Sequence, residues 1–327
     1  MKLVIFTICK DEESTIAELL SRMPKKIKGI SKIETLVISD GSIDATAKIA
    51  RQKKASRVIE GTRQRRLSYR FQQAVEVSLD MGADYVVNID GDLQFAPEDI
   101  PVLLDPILNG DADFVAADRF TDPKSGEKRR PANMPVGKYW ANRIGAWIVG
   151  NLSGETFRDV TCGFRAYNKS ALLKLNINSA YTYTQESFQV LAIKKINIQT
   201  VPVLVKYYPG RKSRVVKSFW QFLFGSALNI LRAYRDYAPL RFFGGASLLT
   251  GIPGMLLGGF VTWHWATRGS ISPYISFGVI ALFLVSISIM LALLGLVADM
   301  FDRMLRNQEK IIEMLKSERF EKRKNTK

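Results

Sequence analysis

The sequence predicts an α/β domain with a largely parallel sheet, followed by two helices that cross a membrane. Three observations carry this. Residues 1 to about 210 alternate short apolar runs with amphipathic segments. Clusters of Asp, Glu, Gly and Ser stand just after several of the apolar runs. Two long uncharged stretches lie near the C-terminus, at 242–266 and 274–298.

In chain order, the apolar runs predict strands over Leu3–Ile8, Ile33–Ser39, Arg57–Glu60, Tyr85–Ile89, Phe114–Ala117 and Thr200–Val205. Helical spacing predicts helices near Ser14–Met23, Ala45–Lys53, Ser68–Met81, Pro97–Asn109 and Lys138–Leu152. Lys10-Asp11-Glu12-Glu13, Asp40-Gly41-Ser42 and Asp90-Gly91-Asp92 each follow a predicted strand. Ligands of open α/β sheets bind outside the carboxyl ends of strands, so the three clusters describe one pocket better than three unrelated turns.

The domain organisation expected is a catalytic domain over 1–210, an interfacial segment over 211–241, a two-helix membrane domain over 242–298 and a basic tail over 299–327. The stretch 215–243 mixes aromatic and apolar residues with a basic margin, as an amphipathic helix at a membrane interface does. Each uncharged stretch exceeds the ~20 residues needed to cross the hydrocarbon core. Pro253 should kink the first, and its glycines should pack on a neighbouring helix. Basic residues crowd the ends away from the short connector 267–273, which places both termini in the cytoplasm of a two-span cell-membrane protein. The first apolar run is cut at Lys10-Asp11, unlike a signal peptide.

Lys and Arg number 47 against 31 Asp and Glu, a formal charge of +16. Such an excess suits nucleic acid, a membrane surface or phosphorylated substrates. With no nucleic-acid-binding module in view and the basic residues beside the spans, membrane lipid and phosphates are the expected partners, not nucleic acid. Two cysteines, Cys9 and Cys162, give neither a disulfide framework nor metal-ligand spacing. His264 is the only histidine and lies in an apolar stretch. Ser-His-Asp triads and histidine-based zinc centres are thereby excluded. Any catalysis must rest on carboxylates, Arg, Lys, Tyr or a metal.

The segment "NIDGDLQF" (88–95) raises Asp90, Asp92 and Gln94 at alternate positions. In an extended chain, alternate side chains share a face, so three oxygen ligands could meet at one point. A hard cation carrying phosphates would relieve the repulsion between the two carboxylates. A solvated strand-to-loop turn would use the same residues.

"ICKDEESTI", "VISDGSIDAT" and "NIDGDLQFAPEDI", in this order, resemble the family-2 glycosyltransferases of GT-A fold, a Rossmann-like architecture. "DGDLQFAPED" is similar to the D-x-D-L-Q-x-x-P-E of polyprenyl-phosphate glycosyltransferases, the group that contains dolichyl-phosphate mannose synthase. "DVTCGFRAYN" (159–168) resembles that group's D-x-T-S-G-F-R segment, and the paired C-terminal spans are also its habit. The chain departs from the pattern at Ser39, at Lys10 and Asp11, in "GTRQRRLSYRF" (61–71) and in "YYPGRKSRV". These departures bear on the nucleotide and the sugar more than on the reaction.

The resemblance implies an inverting transfer from a GDP- or UDP-linked sugar to dolichyl or undecaprenyl phosphate. It implies Mg²⁺ or Mn²⁺ held by Asp90, Asp92 and Gln94, with Ile8, Lys10, Glu12 and Asp40 lining the donor pocket beside Asp90, Gly91 and Asp92. Gly91 would let the backbone pass close to the donor. Asp92 and Arg119 would be the catalytic pair. Arg119, in "AADRF", matches the family's arginine after strand five and would grip the acceptor phosphate in two-pronged fashion; Arg129, Arg130, Arg211 and Arg214 are further candidates. An anionic phosphate nucleophile needs positioning, not deprotonation. Two other functions use the same features: transfer to a lipid or glycan hydroxyl, which needs a general base, and a non-catalytic nucleotide-sugar-binding scaffold. The Q-x-x-R-W signature of processive polysaccharide synthases is absent from the sequence. Assembly of the chain into homo-oligomers is compatible with all of this.

Overall fold

The computed structural model describes residues 1–177, 183–208, 228, 231–232, 234–235 and 238–325, the side chains of 152 and 321–325 apart. The described residues fall into two compact units, one from Met1–Ala227 with Glu313–Lys327, the other from Leu228–Ile312.

The first unit is built on β1 (Lys2–Cys9), β2 (Lys32–Ser39), β3 (Arg57–Glu60), β4 (Tyr85–Asn88), β5 (Phe114–Asp118), β6 (Arg165–Asn168) and β7 (Ile198–Pro202). They form one sheet in the order β3-β2-β1-β4-β6-β5-β7. All pairs are parallel except those of β6, which runs antiparallel between β4 and β5. The helices are α1 (Ile16–Arg22), α2 (Thr46–Gln52), α3 (Leu67–Asp80), α4 (Ile100–Leu108), α5 (Val136–Ser153), α6 (Lys169–Lys174) and α7 (Thr184–Ile193). Side chains alternate across each strand. Leu3 and Ile5 therefore join a core with Ile16, Val87, Leu103 and Val115, while Val4 and Phe6 join a second core with Phe71, Phe114 and Phe188.

The expected strands and helices are present, with ends shifted by a few residues. The run predicted as Thr200–Val205 pairs as Ile198–Pro202 instead. Beyond Pro202 the chain leaves the sheet and runs beside the 90–95 turn: Phe95 bridges Val205, and the Lys206 N–H donates to the Gln94 carbonyl at 2.9 Å. That detour delivers Tyr207 and Tyr208 to the cleft. Pro97–Asn109 divides into a 3-10 turn over Pro97–Asp99 and then α4.

The strand β6 and the helices α6 and α7 were not anticipated. β6 is only "RAYN", and it is pinned by Arg165, which is fully buried. Its Nε donates to the Cys162 carbonyl at 2.6 Å, and one terminal nitrogen donates to the carbonyls of Thr184 at 2.8 Å and Val160 at 3.2 Å. The other terminal nitrogen bonds the Ser187 hydroxyl. The rings of Phe114, Tyr183 and Phe188 lie 5.7, 5.4 and 5.0 Å from its guanidinium carbon.

In the second unit, α8 (Pro239–Arg268) and the longer α9 (Ile275–Asn325) are both long and apolar enough to cross a membrane. Pro253 lies inside α8, which continues through it. The glycines of α8 do pack on its neighbour: a Cβ at Gly251 would sit 2.5 Å from the Ser288 hydroxyl, and one at Gly254 3.0 Å from Leu284. The Ser247 hydroxyl donates to the Ser288 carbonyl at 2.9 Å. Such small-residue contacts let helix backbones approach closely in lipid. The basic tail expected over 299–327 is a continuation of α9, and from Glu313 onward it belongs to the first unit. There Glu313 pairs with Lys194 at 2.6 Å, and Phe320 is buried in the α3/α7 core. The amphipathic helix expected over 215–243 lies mostly outside the described residues.

Removing the pin tests this account of β6. Arg165→Ala removes the guanidinium donors from the buried carbonyls of Cys162, Val160 and Thr184, of which Thr184 keeps the Ser187 hydroxyl, and should cost roughly 3–5 kcal/mol. Chemical denaturation of the detergent-solubilised chain, followed by fluorescence, measures it. A loss below about 1 kcal/mol would mean that the strand is held by its ladder alone.

Candidate active site

The carboxyl ends of β1 and β2 carry the first two polar clusters, and these loops are laced together. The Asp11 N–H donates to the Ser42 hydroxyl at 3.1 Å, and the Asp11 carboxylate accepts from the Ile43 N–H at 2.9 Å. Glu12 donates its N–H to Thr46 Oγ1 at 2.8 Å; Glu13 and Asp44 exchange similar bonds with the opposite loop. Ser39, where the family carries an acid, is buried and bonds Ser42 at 2.9 Å. Asp11 adopts a left-handed backbone (φ 51°) to make this junction.

Ile8, Lys10, Glu12 and Asp40 come together here at the ends of neighbouring strands. Ile8 is half-buried and packs on the Phe6 side of the sheet. Lys10 Nζ donates to Gln64 at 2.9 Å. Glu12 is buried and accepts from the Thr15 hydroxyl, which also donates to the Gly91 carbonyl at 2.8 Å and ties α1 to the Asp-Gly-Asp turn. Asp40 is buried in an ion pair with Arg70 at 2.6 Å and accepts the Arg65 N–H at 2.8 Å through the same oxygen. It therefore anchors the segment 61–66 over the pocket, a role the sequence reading did not assign.

The Asp-Gly-Asp turn differs from the extended chain expected. The strand ends at Asn88, and Leu93 is left-handed (φ 58°). Asp92 Oδ1 folds back to accept the Gln94 N–H at 3.1 Å. Alternation along a strand therefore does not group Gln94 with the two aspartates. Gly91 is needed for a different reason from the one expected: a Cβ there would meet Cys9 Sγ at 2.5 Å, so it permits close packing on β1. The close approach that shapes the site is at Gly163, which sequence reasoning passed over. A Cβ at Gly163 would lie 2.9 Å from both carboxylate oxygens of Asp90. Asn88 holds this contact in place by donating to the Gly163 carbonyl at 2.8 Å and to Tyr183 at 2.6 Å.

Asp90 is exposed at the cleft, with its carboxylate set close against Gly163. Desolvation, then the neighbouring charge of Asp92, pushes its carboxyl up to about 7, against the pull of Arg119 and Arg165. A desolvated carboxylate repelled by a second one suits a cation. Among the described residues no three His, Cys, Asp or Glu side chains converge on one point. Mg²⁺-type sites take one or two carboxylates and complete their shell with substrate phosphates and water.

On the far side, Arg119 is buried and already occupied. Its fork holds Asp159 at 2.6 and 2.8 Å; it also donates to Thr161 at 2.6 Å and to the Tyr207 hydroxyl at 3.1 Å. Burial works against ionisation of Asp159, but the charge and hydrogen bonds of Arg119 hold its carboxyl below the usual range. The two-pronged phosphate contact expected of Arg119 is thus unavailable, because an internal carboxylate fills it. Arg129 pairs with Asp122 at 3.1 Å, and exposed Arg130 donates to the Met134 carbonyl at 3.1 Å. Arg211 and Arg214 lie outside the described residues.

Sequence reasoning also missed Lys138, in the first turn of α5. Its ammonium sits 5.1 Å from the centre of the Tyr207 ring, and among the described residues it has no hydrogen-bond or ion-pair partner. Burial, then the charge of Arg119, lowers its pKa, while Asp159 and Asp92 pull the other way. Nothing in "VGKYW" marks this lysine; its position depends on how α5 packs.

The family model described as glycosyl transferase family 2 matches residues 4–175, more than half of the chain. The chain belongs to glycosyltransferase family 2. Among relatives of this glycosyltransferase is glycosyltransferase AglJ of Haloferax volcanii, 29% identical over 317 residues, which cover 95% of this chain and 97% of that one. The UDP-N-acetylglucosamine–dolichyl-phosphate N-acetylglucosaminyltransferase of Methanococcus voltae is 33% identical over 131 residues, 39% of this chain and 50% of that protein. The dolichol-phosphate mannosyltransferase of Pyrococcus furiosus is 28% identical over 184 residues, 54% of this chain and 49% of that protein. The crystal structure of glucosyl-3-phosphoglycerate synthase from Mycobacterium tuberculosis with Mn²⁺, uridine diphosphate and glucosyl-3-phosphoglycerate superimposes with a TM-score of 0.52 at 18% identity. It covers 72% of this chain and 78% of that one. That likeness is one of fold, and the glycosyltransferase unit has the GT-A fold.

The state of Asp90 has a measurable consequence. Its folded pKa of about 7 lies above the unfolded carboxylate value of about 3.9. Between these values the folded chain holds a proton that the unfolded chain has released, so this group's contribution to stability falls as pH rises from about 4 to about 7. In chelator, Asp90→Asn should flatten that decline in the thermal midpoint. Parallel profiles for the two proteins would remove the strained carboxylate from the account.

Proposed function

We propose that this glycosyltransferase moves a sugar from a nucleotide-sugar, GDP- or UDP-linked, to a polyprenyl phosphate of the dolichyl or undecaprenyl type, with inversion at the sugar. The observation that carries the reading is Lys138: a half-buried ammonium without a partner among the described residues, held over Tyr207 and close enough to Asp92 to feel its charge. A cation so placed suits an anionic acceptor. The relatives named for dolichyl phosphate, and the two span-length helices, support the same reading.

Lys10, Glu12 and Asp40 face the nucleoside side, with Ile8 beneath. Asp90 and Asp92 would hold a divalent cation, Mg²⁺ or Mn²⁺, which when bound neutralises the donor diphosphate and the charge that develops on it. Gln94 remains a candidate third oxygen. Lys138 binds and orients the acceptor phosphate, with Arg130 as the next candidate; Arg119 and Asp159 fix Tyr207 and Thr161 around it. The acceptor oxygen is already anionic, so no base is required. A second reading, transfer to a hydroxyl, draws on the raised pKa of Asp90, which matches a general base poised near pH 7. That use competes with the cation for one carboxylate. The protein would sit in the membrane by its two spans, with the site and both termini in the cytoplasm, where nucleotide-sugars are made available.

The deciding experiment supplies the membrane-reconstituted protein with a panel of nucleotide-sugars, one polyprenyl phosphate and one glycolipid, and reads products by mass spectrometry. A polyprenyl-phosphate-sugar with release of nucleoside diphosphate is expected; sugar on the glycolipid alone would overturn the acceptor assignment. Lys138→Ala should lower kcat/KM for the acceptor roughly 10- to 100-fold, as loss of a charged contact of about 1.5–3 kcal/mol does, with donor affinity by calorimetry little changed. Asp92→Asn should lower turnover by roughly 10²-fold or more without lowering the thermal midpoint in chelator. Full activity in excess EDTA would remove the cation. For topology, a cysteine at Ser270 should react with an impermeant reagent outside intact cells, and tags at the termini should not.

A further inference from the structure

The 18-residue helix α5 presents large apolar side chains to the outside. Val136, Trp140, Ile144 and Trp147 recur at intervals of four, four and three, the spacing of one helix face. Trp140 and Trp147 are 58% and 69% exposed. The opposite side of α5 packs on the protein, with Ala146 and Val149 in the hydrophobic core. Asn142 accepts from the Thr161 hydroxyl at 3.0 Å, and Gly145 and Ala146 are buried. The helix therefore carries large apolar side chains on its outer face in addition to those it packs into the core. Sequence spacing gave a helix here, but only burial shows which face looks outward.

We infer that this outer face of α5 is a lipid-docking surface, seated at the headgroup–acyl boundary of a bilayer containing anionic lipid. Three observations select lipid over another occupant. Tryptophan, with an apolar ring and a polar N–H, is the side chain enriched at that boundary. The stripe carries no charge, while Arg130, which precedes it in sequence, and Arg143, which falls among its members, place positive charge beside it, a pattern that complements anionic headgroups. The same chain carries two helices long enough to cross a membrane. Lys138 lies on the inward side of the same helix, so docking would hold the site's unpartnered cation near headgroup phosphates. The inference does not depend on which acceptor receives the sugar.

Spin labels on the full chain in vesicles of mixed zwitterionic and anionic phospholipid test it. Ile144→Cys and Trp147→Cys are labelled, with exposed Lys128→Cys as the aqueous reference. Cys9 and Cys162 are buried, with thiols pushed up to about 12 by that burial, and the unsubstituted chain corrects for any background labelling. Labels at 144 and 147 should collide with oxygen in preference to a water-soluble nickel chelate, at a depth of about 5–10 Å, while the label at 128 shows the reverse. Chelate access at 144 and 147 equal to that at 128 would overturn the inference. So would dipolar coupling between labels on separate chains, which would make the face a contact between copies.

Discussion

The cleft depends on how two buried arginines are kept out of water. Arg119 is neutralised by Asp159, and breaking such a pair from one side leaves a costly unpaired charge. Arg165 is treated differently: its hydrogen bonds go to carbonyls and a hydroxyl, and its charge reaches Asp90 only through space. Asp90 is thus drawn toward ionisation by two guanidinium groups and pushed away from it by burial and by Asp92. The push wins, which leaves the carboxylate poised near neutrality. The geometry that makes this balance is the antiparallel insertion of β6, which brings Gly163 under Asp90 and Arg165 behind it.

That arrangement changes what an arginine in the "AADRF" position does. In isolation, a guanidinium beside a strand end is a natural phosphate ligand. Here four of its contacts are internal, and it serves to fix Asp159, Thr161 and Tyr207. On our proposal the work of meeting an incoming anion passes to Lys138: Arg119 repels its ammonium, and Asp159, which attracts it, is already paired with Arg119. An ammonium on a flexible stem is a point charge, so it asks less of the acceptor's orientation than a fork would.

The sequence made the parallel half of the sheet legible because each of β1, β2 and β4 is an apolar run that ends in a polar cluster. It did not show β6, since "RAYN" offers no apolar period; that strand exists because Arg165 finds its partners in residues 160–187. Helix α7 was hidden for the opposite reason, being buried on nearly every side and so without an amphipathic pattern. At the site, Asp90 and Asp92 stood out by residue type and spacing. The left-handed turn at Leu93 did not, and it undoes the alternation that grouped Gln94 with them. Gly163 and Lys138 were invisible because their importance is a distance to something remote in sequence.

Most residues around the proposed donor pocket carry internal bonds as well, and this decides what substitutions there reveal. Asp40 anchors the 61–66 segment through Arg70 and Arg65, so its removal would loosen the loop as well as the pocket. Glu12 is bound into the junction with α2 and, through Thr15, into the Asp-Gly-Asp turn. Arg119 cannot be shortened without stranding Asp159. Lys138 forms no hydrogen bond or ion pair among the described residues, its contact being with the Tyr207 ring. A change in chemistry at Lys138 can be separated from a change in folding, whereas loss of activity at Asp40 or Arg119 would by itself distinguish neither.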